Sequence, residues 1–270
     1  MINKLINKED INLNDIVNYI FIKQNNFNTY CKKFEKDLKK IRKEVKLASD
    51  KIKINYIKED NNIKFVSYET IEEESKTINI IFIGFEDIKY FDEYKQYLKS
   101  EYNNYKINIK LTKFHILYSD LLNDDYFSIN KNIKTLEVYE SKLNKLKYRM
   151  NQDIIVMPLE NYQLDEYKEI HISKFKKTKK IKNLVVIYNN EMIGYFDYIP
   201  TEELNEIVEY KINENIKDKE VVIGKALIHI FDNHGKFNNI KVSIDNDFEL
   251  NDFLKCGFLI VEELTVFSNK

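Results

Sequence analysis

An α+β fold, with helices flanking a mixed, mainly antiparallel sheet and that arrangement laid down twice in tandem, is what this chain predicts. Three observations carry the prediction. Segments of alternating or continuous apolar character recur between helical stretches, and Asn-rich turns join two pairs of them into hairpins. The order of elements in the first half then returns in part in the second. A length of 270 residues suffices for two domains of ordinary size, and a 43% apolar content with 19 Tyr and 17 Phe provides for a large core.

The first half opens with helical periodicity, from Leu13 to about Lys23 and from about Asn28 to Ala48. In the second stretch Tyr30, Phe34, Leu38, Ile41, Val45 and Leu47 recur at mostly three- and four-residue intervals among Lys and Glu. Strands follow at Ile52–Ile57, Asn62–Ile71 and Asn79–Phe85, and Asp60-Asn61-Asn62 reads as a hairpin turn. A helix over Tyr90–Tyr102 precedes an alternating strand over Lys106–Leu111. The stretch Tyr126–Asn144 is ambiguous, with Leu136–Leu143 able to form another strand.

In the second half, Ile154–Leu159 is an apolar strand with Pro158 at its end, where a missing donor is tolerated. Asp165–Phe175 suits a helix. Leu184–Tyr188, Asn189-Asn190 and Met192–Ile199 form a hairpin, and Ile207–Ile212 a third strand. A helix over Val221–Asp232, a strand over Ile240–Ile244, a short helix over Phe248–Lys255 and a strand over Leu259–Phe267 complete the chain. Two domains, 1–148 and 152–270, are expected.

Composition excludes several function classes. The 43 basic and 44 acidic residues nearly cancel, which argues against a nucleic-acid partner. Cys31 and Cys256 stand far apart with no neighbouring ligands, so neither a disulfide framework nor a metal site is expected. There is no run of about 18 apolar residues to cross a membrane. The opening MINKLINKEDINLND lacks the apolar stretch of a signal peptide, so a cytoplasmic protein is expected. Whether identical chains associate is left open.

The strongest local signal is Asn246-Asp-Phe-Glu-Leu-Asn-Asp-Phe-Leu-Lys-Cys-Gly257-Phe258. Asn caps a helix start by accepting a backbone N–H, and Gly closes the far end in a left-handed conformation. Upstream, Lys219-Glu-Val-Val222-Ile-Gly224-Lys-Ala-Leu227 leads into a helix, and Gly194 sits inside a strand, where it marks a bulge or close packing.

Together these segments resemble the GNAT superfamily of acyl-CoA-dependent N-acyltransferases over residues 152–270. Asn246, Gly257 and Phe258 fall at the spacing of the family's N-x-x-A-x-x-x-Y-x-x-x-G-F. Gly224 matches the last glycine of its Q/R-x-x-G-x-G/A loop, which binds a pyrophosphate at a helix N-terminus. The chain departs from the pattern at Lys219, at Val222 in place of the first glycine, and at Phe253 in place of the tyrosine that protonates the leaving thiolate. The resemblance implies acetyl-CoA or another acyl-CoA as donor, held by Ile212, Asn213, Val222, Ile223, Gly224, Lys225, Ala226, Asn246 and Phe253. It implies an amine acceptor that attacks the thioester directly in a ternary complex. Glu206 and Glu209 are the candidate bases; three apart on a regular strand, they point to opposite faces, so at most one enters the cleft. Tyr210 neighbours them and would line the acceptor site. By element order alone, the first domain is expected to be a diverged copy. The alternative reading is a non-catalytic GNAT-like protein that senses CoA or binds a partner, and Val222 and Phe253 favour it.

Other features read as structural. Lys174, Lys176, Lys177, Lys179, Lys180 and Lys182 form a solvated basic loop, His229 and His234 flank Asp232 on a helix surface, and Cys256 is a small apolar filler. His115 and His171 show no partner in the sequence.

Overall fold

A computed structural model describes residues 3–4, 13–25, 38–46, 52–171, 180–201, 204–234 and 239–270. Along the chain run β1 (Asn3–Lys4), α1 (Leu13–Asn25), α2 (Leu38–Lys46), β2 (Ile52–Glu59), β3 (Asn62–Glu72), β4 (Thr77–Phe85), α3 (Ile88–Glu101), β5 (Lys106–Leu111), α4 (Tyr118–Leu122) and β6 (Phe127–Tyr139). There follow α5 (Lys145–Arg149), β7 (Ile154–Pro158), α6 (Leu164–Ile170), β8 (Lys182–Tyr188), β9 (Glu191–Pro200), β10 (Asn205–Ile212), α7 (Lys219–His234), β11 (Asn239–Ile244), α8 (Asp247–Lys255) and β12 (Leu259–Asn269). The expected strands form, except that the one expected over Leu136–Leu143 stops at Tyr139, where a 3-10 turn over Glu140–Lys142 follows. Residues 28–37 of the second expected helix, 172–175 of the helix after Asp165 and Lys174–Lys179 of the basic run lie outside the described residues. Among the described residues no helix is long and apolar enough to cross a membrane.

The chain folds as two compact units, one of residues 1–132 with 264–270 and one of residues 133–263. The expected division at 148–152 differs from this at both ends. Two features explain the difference. Residues 145–149 form α5, whose Tyr148 is buried in the second unit's core, and five residues are too few to show a helical period. The end of β12 belongs to the first unit, where Thr265–Ser268 pair with Leu111–Asn108 of β5.

In the first unit the strand order is β1-β2-β3-β4-β5-β12. β2 and β3 are joined by a tight turn in which Asp60 (φ 50°) and Asn61 (φ 63°) adopt the left-handed region that Asn and Asp tolerate. α3 starts at Asp87, whose side chain accepts the Lys89 N–H, and it buries Tyr90, Phe91, Tyr94 and Leu98 against the sheet. β4 and β5 are parallel, pairing from Thr77–Lys106 to Ile80–Ile109. Beyond that point a void of only about 10 Å³ is left among Phe82, Ile83, Leu111 and His115. His115 accepts the Leu117 N–H at Nδ1 (3.1 Å), and burial pushes its pKa down to about 4.

The C-terminal strand is fastened to this unit at several points. Phe267 is fully buried, edge-on to Tyr118. Asn269 accepts the Ile107 N–H (2.8 Å) and donates to the Tyr105 carbonyl (3.0 Å), and Ser268 donates to Asn108 (2.6 Å).

The second unit has the order β6-β11-β10-β9-β8-β7. Asn189 (φ 50°) and Asn190 (φ 65°) make the expected β8–β9 turn, and Pro158 ends the edge strand β7. Gly194 lies so close to β10 that a Cβ would sit 2.3 Å from the Lys211 carbonyl oxygen, which accounts for glycine there. α5, α7 and α8 cover one sheet face over the main core, and α6 packs Tyr167 on Val185 and Tyr195 at the other.

Two outcomes follow for stability. A chain ending at Glu263 should lose amide protection at Ile107 and Ile109 while β8 and β9 stay protected, because it loses a buried Phe worth about 3–5 kcal/mol and a strand of ladder; hydrogen exchange reads this directly. For His115, an unfolded imidazole takes up a proton below about pH 6.5 that the folded ring refuses until about pH 4. Stability should therefore fall with pH across that window, by about 3 kcal/mol. The urea midpoint of wild type should drop more steeply there than that of His115→Gln, and equal slopes would show that the ring titrates normally.

Candidate functional site

The parallel pair at the centre of the second unit separates early. β10 and β11 pair only over Asn205–Ile240, Glu206–Lys241 and Ile207–Val242, after which β10 continues to Ile212 and β11 to Ile244. A bulge interrupts β10 against β9, so that Ile207 faces Tyr198 and Glu209 faces Asp197. Bulges bend a strand away from its neighbour. The separation opens a cleft of about 900 Å³, lined by Glu209, Tyr210, Ile212, Asn213, Asp245, Asn246 and Glu249 among others. In volume it matches a site for a small ligand.

The bulge also corrects the expected directions of the two glutamates. Glu206 is opposite Ile199 and Glu209 opposite Asp197, two positions of the same parity on β9, so both glutamates share a sheet face. Glu209 lines the cleft, whereas Glu206 is solvent-exposed and does not. The Glu209 carboxylate accepts the Tyr195 hydroxyl at 2.6 Å. Tyr210 lines the cleft; its hydroxyl donates to Glu249, and burial together with that carboxylate keeps it protonated.

At the far wall Asn246 caps α8, accepting the Phe248 N–H at 3.0 Å, and Gly257 (φ 91°) closes it. Both roles were legible in the sequence. Cys256 is buried, with its Sγ on the Glu220 carbonyl and its pKa pushed up to about 12 by burial, so it is no nucleophile. Ile212 and Asn213 lie on the cleft. Phe253 does not: it is fully buried between the rings of Tyr210 (5.2 Å) and Phe258 (5.2 Å) and supports Tyr210 from behind.

The expected phosphate loop takes a different form. α7 already begins at Lys219, with the Val221 and Val222 N–H groups donated to the Asp218 carbonyl. Val222, Ile223, Gly224 and Ala226 are therefore helix-interior residues facing the core. A Cβ on Gly224 would lie 2.5–2.6 Å from the Tyr148 ring. The glycine makes room for an aromatic side chain, not for a phosphate. Lys225 reaches the other way, donating to the Ile154 carbonyl in a separate recess of about 470 Å³ beside Arg149 and His229. At the helix start Asp218 and Glu220 alternate with Lys217 and Lys219, and Glu220 is already paired with Lys147, so no surplus of positive charge gathers there. These residues do not fit a diphosphate, and they do not line the β10–β11 cleft.

One group escaped the sequence reading. His171, at the end of α6, places Nε2 3.0 Å from Asp197 and Nδ1 3.4 Å from Glu209. Asp197 also accepts the Tyr167 hydroxyl (2.6 Å) and the Asn183 amide (2.9 Å). A signal for part of this existed: Asp197 interrupts the apolar run Tyr195-Phe196 and Tyr198-Ile199, and a buried carboxylate requires partners. Nothing local pointed to His171 as one of them.

Comparison with models of known protein families finds no match, and a search of curated proteins finds none. Solved structures do match. A tandem GNAT protein from the clavulanic acid biosynthesis pathway covers 100% of this chain and 98% of its own, with a TM-score of 0.63 at 5% identity. A GCN5-related N-acetyltransferase from Sphaerobacter thermophilus covers 94% and 91%, with a TM-score of 0.64 at 7% identity. A functionally unknown conserved protein from Staphylococcus epidermidis covers 80% and 94%, with a TM-score of 0.57 at 12% identity. The chain has the tandem GNAT fold. Within that GNAT fold, β10 and β11 are the separating pair of the second unit, and β4 and β5 hold the same places in the first.

Gly224→Ala tests the reassignment of the glycine. Alanine gains about 1 kcal/mol of helix propensity, yet the clash with a rigid ring should leave the variant about 1–3 kcal/mol less stable in urea. Adding Tyr148→Leu should narrow the loss. A single variant as stable as wild type would mean that Tyr148 does not dictate the glycine.

Proposed function

We propose that the second unit is an N-acyltransferase domain that takes an acyl thioester into the β10–β11 cleft and passes the acyl group to an amine. The observation that carries this reading is the open cleft with the Glu209 carboxylate on its wall. The tandem GNAT fold supports it. An alkylammonium acceptor gives one proton to Glu209, and the freed amine attacks the thioester carbonyl carbon. The C–N bond forms, the C–S bond breaks, and the remaining ammonium proton leaves with the thiolate as a thiol. Glu209 then returns its proton to water. Holding donor and acceptor together in the cleft supplies much of the rate. Because the start of α7 does not fit a diphosphate, the acyl end and its pantetheine arm carry the recognition. Acetyl-CoA is the simplest donor of this class.

The second reading, a GNAT-like protein that binds a partner without catalysis, draws on Phe253 and on the same lack of a phosphate loop.

Two measurements separate the two. Acetyl-CoA and S-acetylpantetheine at millimolar concentration should each raise the melting temperature, with affinities within about tenfold of one another. With a panel of primary amines, thiol release should fall roughly 10²–10⁴-fold in Glu209→Gln and change less than about twofold in Glu206→Gln. If neither thioester shifts the melting temperature, the non-catalytic reading stands instead.

A further inference from the structure

Asp197 and Glu209 sit directly opposite each other on neighbouring antiparallel strands and on the same sheet face. Like charges so placed repel across a gap of about 5 Å. The space between them is filled by the His171 ring, with a nitrogen toward each carboxylate, 3.0 Å from Asp197 and 3.4 Å from Glu209. The side chains of His171 and Asp197 are 4% and 6% exposed, and that of Glu209 is 24% exposed, so the row runs from the interior to the cleft. Aromatic rings hold the imidazole in place: Tyr195 stacks on it at 4.7 Å, and Tyr167 lies at 5.0 Å.

Nε2 hydrogen-bonds Asp197 and Nδ1 lies at ion-pair distance from Glu209, and this placement of two acids around one ring bears on its charge state. A carboxylate accepts only, and a neutral imidazole has one N–H, so it satisfies one of the two acids and turns a lone pair on the other. An imidazolium satisfies both and places a positive charge between two negative ones. Asp197 and Tyr195 from β9, Glu209 from β10 and Tyr167 from α6 itself face the ring. Both tyrosines donate to the carboxylates, Tyr167 to Asp197 and Tyr195 to Glu209, which leaves each acid to accept from the ring as well.

We propose that Asp197, His171 and Glu209 form a carboxylate–imidazolium–carboxylate array that holds Glu209 ionised and aimed into the cleft. Glu209 shares that cleft with Glu214, Asp245 and Glu249, whose charges oppose its ionisation, and Lys211 is the only basic side chain among the described lining residues. The internal cation offsets this and fixes the rotamer of the base. His171 and Asp197 are positioning residues, because neither lines the cleft. The array rests on the acyl-transfer reading for its purpose, though not for its existence.

Two experiments on the full chain test it. In ¹⁵N-histidine-labelled protein, the ring signals lost in His171→Gln belong to His171. Both nitrogens should be protonated at pH 7.5, at least one unit above the usual midpoint of about 6.5, and Asp197→Asn should bring the midpoint down. A neutral ring at pH 7.5 overturns the array. In thiol release from acetyl-CoA with a primary amine, His171→Gln keeps a hydrogen-bonding side chain and removes the charge. The acidic limb of its kcat/KM profile should rise by about one pH unit or more, with KM for the donor unchanged. An unmoved limb overturns the proposed effect on Glu209. A charged ring in a chain that neither binds nor consumes acetyl-CoA or S-acetylpantetheine would overturn acyl transfer while leaving the array in place.

Discussion

The early parting of β10 from β11 is the constraint on which the second unit depends. Three residue pairs hold the strands together at one end, and a bulge in β10 turns the rest of the strand away. The gap that results cannot be closed by backbone hydrogen bonds, so it must be lined by side chains or filled by a ligand. The same bulge brings Glu209 onto the face of Asp197 and next to His171. The position of Glu209 on the cleft and beside His171 therefore traces to one extra residue in one strand.

The first unit shows the same topology with the opposite outcome. Its parallel pair β4–β5 precedes a void of about 10 Å³, against about 900 Å³ in the second unit. Phe82 and a neutral His115 occupy the place where a cleft would open, and α3 starts directly behind Glu86 and Asp87 with no intervening loop. Its sheet is completed by the chain's last strand, whose Phe267 enters the core. Among the described residues, the first unit leaves no opening of that size beside its parallel pair, and the candidate chemistry is placed in the second.

Much of the scaffold was legible. The Asn-Asn turns, the strand-ending Pro158, the Asn246 cap and the Gly257 close each rest on the conformational limits of one or two residues, and such limits act locally. Of the two readings of Gly194, a bulge or close packing, the contact with Lys211 bears out the second. The matching by motif of Val222, Gly224 and Lys225 to a phosphate loop did not carry over. A glycine marks a place where a Cβ does not fit, and its own sequence surroundings do not say whether a phosphate or a tyrosine ring takes the room. The two glutamates were separated by a strand-parity argument that a single bulge reverses.

The sequence by itself determined the order of elements, their turns and caps, and the resemblance of its last 119 positions, 152–270, to an acyltransferase scaffold. Tertiary structure alone decided which strand completes which sheet, that Tyr148 and not a phosphate meets Gly224, and that His171 lies between Asp197 and Glu209. The physical reason is range. Backbone preferences and capping act within a few residues, whereas cavity shape and the pairing of buried charges depend on side chains brought together from distant positions, 26 apart for His171 and Asp197.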